Sequence, residues 1–185
     1  SLVAVHNNPV LHALAKPIID VQYQSASPSV LPSRWSDEVT CREMTLKEIH
    51  EIIDGFAKTA ALCKEAGVDG VEVHAVHEGY LLYQFTLKYT NKRKDQFGGS
   101  FENRYRFATA IVKKIKSACG RDYPVSLRYS VVSKTKDFCV GAMPGEDYVE
   151  IGRDMEESEK AAKYLQDAGY DMLNADNGTY DAWYW

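Results

Sequence analysis

Two short segments of this chain repeat one device, and that repeat limits what the chain can fold into. AGVDGVEVH (residues 66–74) and AGYDMLNAD (residues 168–176) each run from a helix end through a glycine and an aspartate into an apolar stretch with a polar end. ACGRDYPVSLRYS (residues 118–130) is a looser copy between them. A glycine after a helical pattern supplies a left-handed stop, and a buried strand within a few residues makes the helix-to-strand turn short. Helix–strand alternation with short turns of that kind and long strand-to-helix loops implies parallel strands joined by right-handed crossovers. In such folds the reactive groups gather past the carboxyl ends of the strands.

The helices between these devices carry their own signals. Thr45 followed by Glu48 predicts a capping box, with Met44 stapled against Ile49. Ile49, Ile52, Ile53, Phe56, Ala57, Ala60 and Cys63 then recur at helical spacing. Ser100 is placed to cap a second helix, whose inner face reads Phe107, Ala108, Ile111, Val112, Ile115 and Ala118. Asp154 with Glu157 repeats the capping-box pattern before a third helix lined by Ala161, Ala162, Leu165 and Ala168. Strands are expected at VEV (71–73), VSLRYS (125–130) and DMLNA (171–175). Residues 1–44 form an irregular segment in this reading, turn-rich around Pro28 and Pro32, and residues 45–185 form the α/β body. A closed eight-fold barrel takes about 250 residues, so 185 residues leave room for three to four βα units of one. The chain is thus either a small open α/β sheet or a piece of a larger barrel; the piece is favoured, so the expected fold is α/β, a partial TIM (β/α)8 barrel with parallel strands.

Composition excludes several function classes. A net charge of −4 without a basic block gives no footprint for nucleic acid. No apolar run reaches bilayer length, and residues 1–10 lack the pattern of a secretory signal. Cys41, Cys63, Cys119 and Cys139 are scattered with no CxxC pair, so a reducing cytoplasm without disulfides is expected.

The reactive side chains concentrate in residues 67–107. His74 and His77 stand three apart at the end of the first strand, as two donors aimed at a substrate oxygen, as a metal pair, or as loop histidines without a role. Tyr80 follows as a phenol able to deliver a proton, or as one more packing tyrosine among twelve. Arg128 lies inside an apolar strand, where a charge is costly unless paired. It either faces an electron-rich ring or phosphate, or closes an internal salt bridge. NKRKDQFGGSFENR (residues 91–104) has a glycine turn before a helix but lacks the full phosphate-loop pattern, so a polar network pinning the long loop is expected. Asn174, Asp176, Asn177 and Tyr180 are placed on the same face as the histidines, and Trp183, Tyr184 and Trp185 could line a pocket for a flat ligand.

VEVHAVHEGYLLYQF, TNKRKDQFGGSFENRYRF and SLRYS together resemble the old yellow enzyme family of flavin oxidoreductases. They are most similar to its branch with 2,4-dienoyl-CoA reductase and trimethylamine dehydrogenase. The likeness extends from about Ser27 to the end. It implies a barrel binding FMN, with NAD(P)H as reductant and an unsaturated carbonyl compound as substrate. It also implies that His74 and His77 hold the activating carbonyl oxygen, that Tyr80 is the proton donor, and that Arg128 contacts the flavin pyrimidine. Relatives often read HxxHxY, whereas this chain reads HAVHEGY, so either His77 or Glu78 takes the second position. Tyr83 stands where relatives often carry an acid, and Tyr180 falls near a second acid and is expected to contact substrate. The branch's 4Fe-4S cluster would lie beyond Trp185. Amine dehydrogenation or demethylation on the same flavin, a metal-dependent barrel hydrolase, and an inactive truncated barrel acting as an assembly partner are the alternatives. A homo-oligomer is compatible with all of them.

Overall fold

The structure is a computed structural model that describes residues 25–33, 36–76 and 80–176. Its centre is a parallel sheet of three strands in the order β4-β5-β8: β4 (Val71–Ala75), β5 (Val125–Ser130) and β8 (Met172–Asp176). Helices α1 (Leu46–Glu65), α3 (Phe101–Cys119) and α4 (Met155–Ala168) precede these strands in turn. The three helix–strand units follow from the repeated device. Gly67, Gly120 and Gly169 take φ of 84°, 96° and 124°, the left-handed region that glycine enters at no steric cost.

Alternation along the strands sends one set of side chains to the helices. Val73, Ala75, Val125, Leu127 and Tyr129 join Ile49, Ile53, Phe107, Ile111, Ile115 and Leu165 in one core. The phenols in that core are satisfied: the Tyr129 hydroxyl donates to the Ser158 carbonyl at 2.8 Å and that of Tyr170 to Ala108 at 2.9 Å. The opposite face of the sheet carries Glu72, His74, Ser126, Arg128 and Asn174, none of which is buried.

The helix starts show where sequence pattern and packing agree. Thr45 closes a complete capping box, its hydroxyl accepting from the Glu48 amide at 3.2 Å while Glu48 accepts from the Thr45 amide at 2.8 Å. Arg42 also grips that carboxylate, and its hydrogen bonds with those of Thr45 pull Glu48 down to about 2. Met44 and Ile49 are both buried, as the staple requires. At α4 only half of the box forms. Asp154 accepts from the Glu157 amide at 2.8 Å, but the Glu157 side chain turns to the buried Arg104, where two charge-assisted bonds outcompete one exposed cap.

Residues 25–43, expected to be irregular, contain strands. β1 (Ala26–Ser27) runs parallel to β3 (Ser36–Glu43), and β2 (Leu31–Ser33) runs antiparallel to it. Pro32 sits on β2 at the edge of that arrangement, where a missing amide costs no ladder bond, so turn residues and strand coexist. Two further elements lie in stretches read as loop: helix α2 (Leu81–Thr86) and the hairpin of β6 (Thr135–Asp137) with β7 (Val140–Gly141). Both are too short for a periodic signal. Among the described residues no helix is long and apolar enough to cross a membrane.

Candidate active site

His74 belongs to a strand and not to the loop after it. The ladder between β4 and β5 continues past Val73, pairing His74 with Arg128 and Ala75 with Tyr129. Two residues of extra pairing fix the imidazole on the face turned away from the helices. Tyr80 follows as the N-cap of α2, with extended backbone at φ −88°. Its ring meets that of His74 edge-to-face, centroids 4.5 Å apart at 89°. Such a T-shaped contact is a preferred arrangement of two aromatic rings and fixes their relative orientation.

Arg128 is the register partner of His74 on one side and of Asn174 on the other. Its Nε and Nη2 donate to Asp176 Oδ2 at 3.1 and 2.5 Å. The functional and the salt-bridge readings of this arginine are thus not exclusive: it pairs with an acid, and the pair stands on the face of His74. One layer below, Glu72 accepts from Ser126 Oγ at 2.9 Å and from Asn174 Nδ2 at 3.2 Å. Glu72 escaped notice in the sequence, although an acid two residues before His74 in a strand must share its face.

The loop after α2 is pinned as expected. Asn91 Nδ2 donates to the carbonyls of Phe85 and Phe97, both at 2.7 Å. Buried Arg93 donates to the Pro28 and Met44 carbonyls at 2.9 and 2.7 Å and pairs with Asp95. Asn103 reaches back to the Gly98 carbonyl at 3.0 Å. Gly98 is required here, because a Cβ would lie 2.4 Å from the Arg93 carbonyl oxygen.

Two other arginines tie elements together behind the sheet: Arg104 links helices, and Arg153 holds the end of β5. Arg104 pairs with both oxygens of Glu157 at 2.7 and 2.8 Å and donates to the Thr86 carbonyl. Burial opposes charge on Glu157, but the Arg104 hydrogen bonds outweigh it and hold the carboxyl below the usual carboxylate range. Arg153 is fully buried, with its guanidinium carbon 4.6 Å from the Tyr129 ring, 5.1 Å from Tyr83 and 5.4 Å from Tyr105. It donates to the Ser130 carbonyl at the end of β5 at 2.5 Å and to Thr86 Oγ1 at 2.9 Å. Tyr83 therefore belongs to the scaffold: its hydroxyl pairs with Ser133, and burial pushes its phenol up. An isolated arginine in a polar loop gives no sequence signal for such a cage.

His77, Glu78, Asn177, Tyr180 and the aromatic run 183–185 lie outside the described residues. Of the expected site residues, the structure brings together His74, Tyr80 and Arg128.

Comparison with known proteins bears on the family and the fold. The sequence model of the NADH:flavin oxidoreductase / NADH oxidase family matches residues 11–177. That match begins earlier than the likeness read from the sequence, which starts at about Ser27. Cinnamate reductase of Clostridium sporogenes is 53% identical over 161 residues, which is 87% of this chain and 24% of that protein. Among solved structures, a 2-naphthoyl-CoA reductase complexed with 2-naphthoyl-CoA superposes with a TM-score of 0.71 at 33% identity, covering 85% of this chain and 22% of that one. An old yellow enzyme homologue from Zymomonas mobilis superposes with a TM-score of 0.66 at 26% identity, covering 86% and 43%. The chain thus spans about a quarter of the cinnamate reductase and 22% of the 2-naphthoyl-CoA reductase.

Proposed function

Because the chain belongs to the NADH:flavin oxidoreductase / NADH oxidase family, we propose that it is the catalytic-face segment of an FMN-dependent reductase of alkenes conjugated to a carbonyl group, with NAD(P)H as reductant. The observation that carries this reading is the contact of His74 with Tyr80 on a strand whose register partner presents Arg128. A proton donor, an oxygen-binding imidazole and a cation on one strand-end face are the donor set that this chemistry needs. The name of the Clostridium relative supports the substrate class, since cinnamate is an alkene conjugated to a carboxyl group.

The set also fits FMN. Its pyrimidine edge offers acceptor atoms, and a partly exposed guanidinium on the sheet face that carries His74 is a suitable donor. Bound FMN supplies the two-electron reducing equivalent. His74 donates to the substrate carbonyl oxygen, which withdraws electrons from the conjugated carbon; His77 is a second donor there, or Glu78 takes that position and accepts from substrate instead. Tyr80 holds the proton that passes to the carbon next to the carbonyl. The ring of His74 against that of Tyr80 keeps the two groups in fixed relation, so oxygen binding and proton delivery act on one substrate molecule. Tyr180 is proposed as a further substrate contact. A 4Fe-4S cluster, on this reading, belongs to sequence beyond Trp185.

The test uses the polypeptide that carries this chain, loaded with FMN and studied without oxygen. Tyr80→Phe is expected to leave reduction by NAD(P)H unchanged. It slows reoxidation by a cinnamate-type enoate about 10²–10⁴-fold, the usual loss for a positioned proton donor. Equal reoxidation rates in both proteins would remove Tyr80 from this role, and turnover of a methylated amine without enoate reduction would move the proposal to amine oxidation.

A further inference from the structure

We propose that Asp176 is a positioning residue for Arg128, and that this ion pair, not the arginine alone, sets the reduction potential of bound FMN. The inference rests on the proposed function, and it adds a residue to which that reading gave no task. Its basis is the way the two side chains are held. Arg128 and Asp176 come from adjacent parallel strands, where Ser130 is the register partner of Asp176. Asp176 therefore stands one alternation beyond the Arg128–Asn174 pair, toward the carboxyl end and on the same face. Its backbone is fixed by the sheet, since its carbonyl accepts from the Val131 amide at 3.0 Å. Two nitrogens of the guanidinium, Nε and Nη2, converge on the single oxygen Oδ2. This fixes the plane of the fork on the face that carries His74.

The pair is also unlike the structural ion pairs of the chain. The side chains of Arg128 and Asp176 are 39% and 27% exposed, whereas those of Arg104 and Glu157 are 2% and 16% exposed. A half-exposed pair adds little to stability. What it does control is local charge. Reduced FMN gains negative charge at its pyrimidine edge, so a guanidinium beside that edge favours the reduced form. A carboxylate hydrogen-bonded to the same guanidinium opposes it. Asp176 thus holds the potential below the value that Arg128 alone would give, and keeps the guanidinium from swinging away from the face.

The experiment measures the midpoint potential of FMN by spectroelectrochemistry, and FMN affinity by fluorescence, in the polypeptide that carries this chain. Asp176→Asn removes the charge and keeps the shape. It is expected to raise the potential by up to a tenfold change in the reduction equilibrium, about 30 mV for a two-electron couple. Asp176→Glu restores the wild-type potential. Arg128→Gln lowers it and weakens FMN binding, and on that background Asp176→Asn produces a smaller rise. If Asp176→Asn leaves the potential unchanged or lowers it while Arg128→Gln still lowers it, the inference is overturned and the proposed function stands. If the wild-type protein binds no FMN, or Arg128→Gln alters neither potential nor affinity, the placement of FMN at Arg128 fails and the inference falls with it.

Discussion

Arg93, Arg104 and Arg153 differ from Arg128 in how completely the protein uses them. The first three are buried, each committed to backbone carbonyls and, for Arg93 and Arg104, to carboxylates. They tie one element to another: Arg93 joins the 91–97 loop to the start of α1, Arg104 joins α3 to α4, and Arg153 seats the end of β5 against Thr86. Arg128 lies on the sheet face opposite α1, α3 and α4, partly exposed, and pairs with Asp176. A cation whose donors end on main-chain carbonyls inside a core is scaffold. A cation left partly in solvent, on the strand paired with the one that carries His74, is on the proposed reading placed for a ligand.

This contrast can be broken from the scaffold side first. Glu157→Ala leaves Arg104 charged and buried without its carboxylate, and is expected to cost about 3–5 kcal/mol in denaturant unfolding. A loss below about 1 kcal/mol would show that Arg104 is no more committed than Arg128. Gly98→Ala forces a methyl onto the Arg93 carbonyl oxygen, 2.4 Å away. It is expected to destabilise by about 1–3 kcal/mol, read as a lower midpoint in the same experiment. The Arg104–Glu157 pair also predicts a pH signature. The Glu157 carboxyl is held below its unfolded value, so its contribution is complete above the ordinary range near about 4.3 and is lost as the pH falls through the lowered folded value. The stability gap between wild type and Glu157→Gln therefore narrows as the pH falls below that range. A gap independent of pH would contradict the assignment of the shift to Arg104.

How much of this was legible in the sequence depends on the range of the interactions. The helix caps at Thr45 and Ser100, the glycine stops and the limits of β5 are local, and each follows from residues within a few positions of one another. The local pattern ends the first strand at Val73, before His74, because nothing local says that pairing with β5 continues to Ala75; the ladder is set by a segment more than fifty positions away. The half-formed cap at Glu157 fails for a similar reason. Its competitor, Arg104, lies on another helix, and sequence proximity gives no weight to it. Strand alternation did carry information about the site. Glu72, His74, Ser126 and Arg128 share a face by parity alone, and parity in β8 adds Asn174 and Asp176. What parity cannot supply is which of these polar groups pair with each other, since that depends on stagger between strands.

The central claim is that Arg128 serves a ligand and not the fold, and one paired measurement on Arg128→Gln tests it most directly. Thermal or denaturant unfolding without FMN is expected to stay within about 1 kcal/mol of wild type, as for an exposed ion pair, while the FMN dissociation constant rises at least tenfold. Unfolding at much lower denaturant with FMN affinity unchanged would make Arg128 a fourth scaffold arginine and contradict the account.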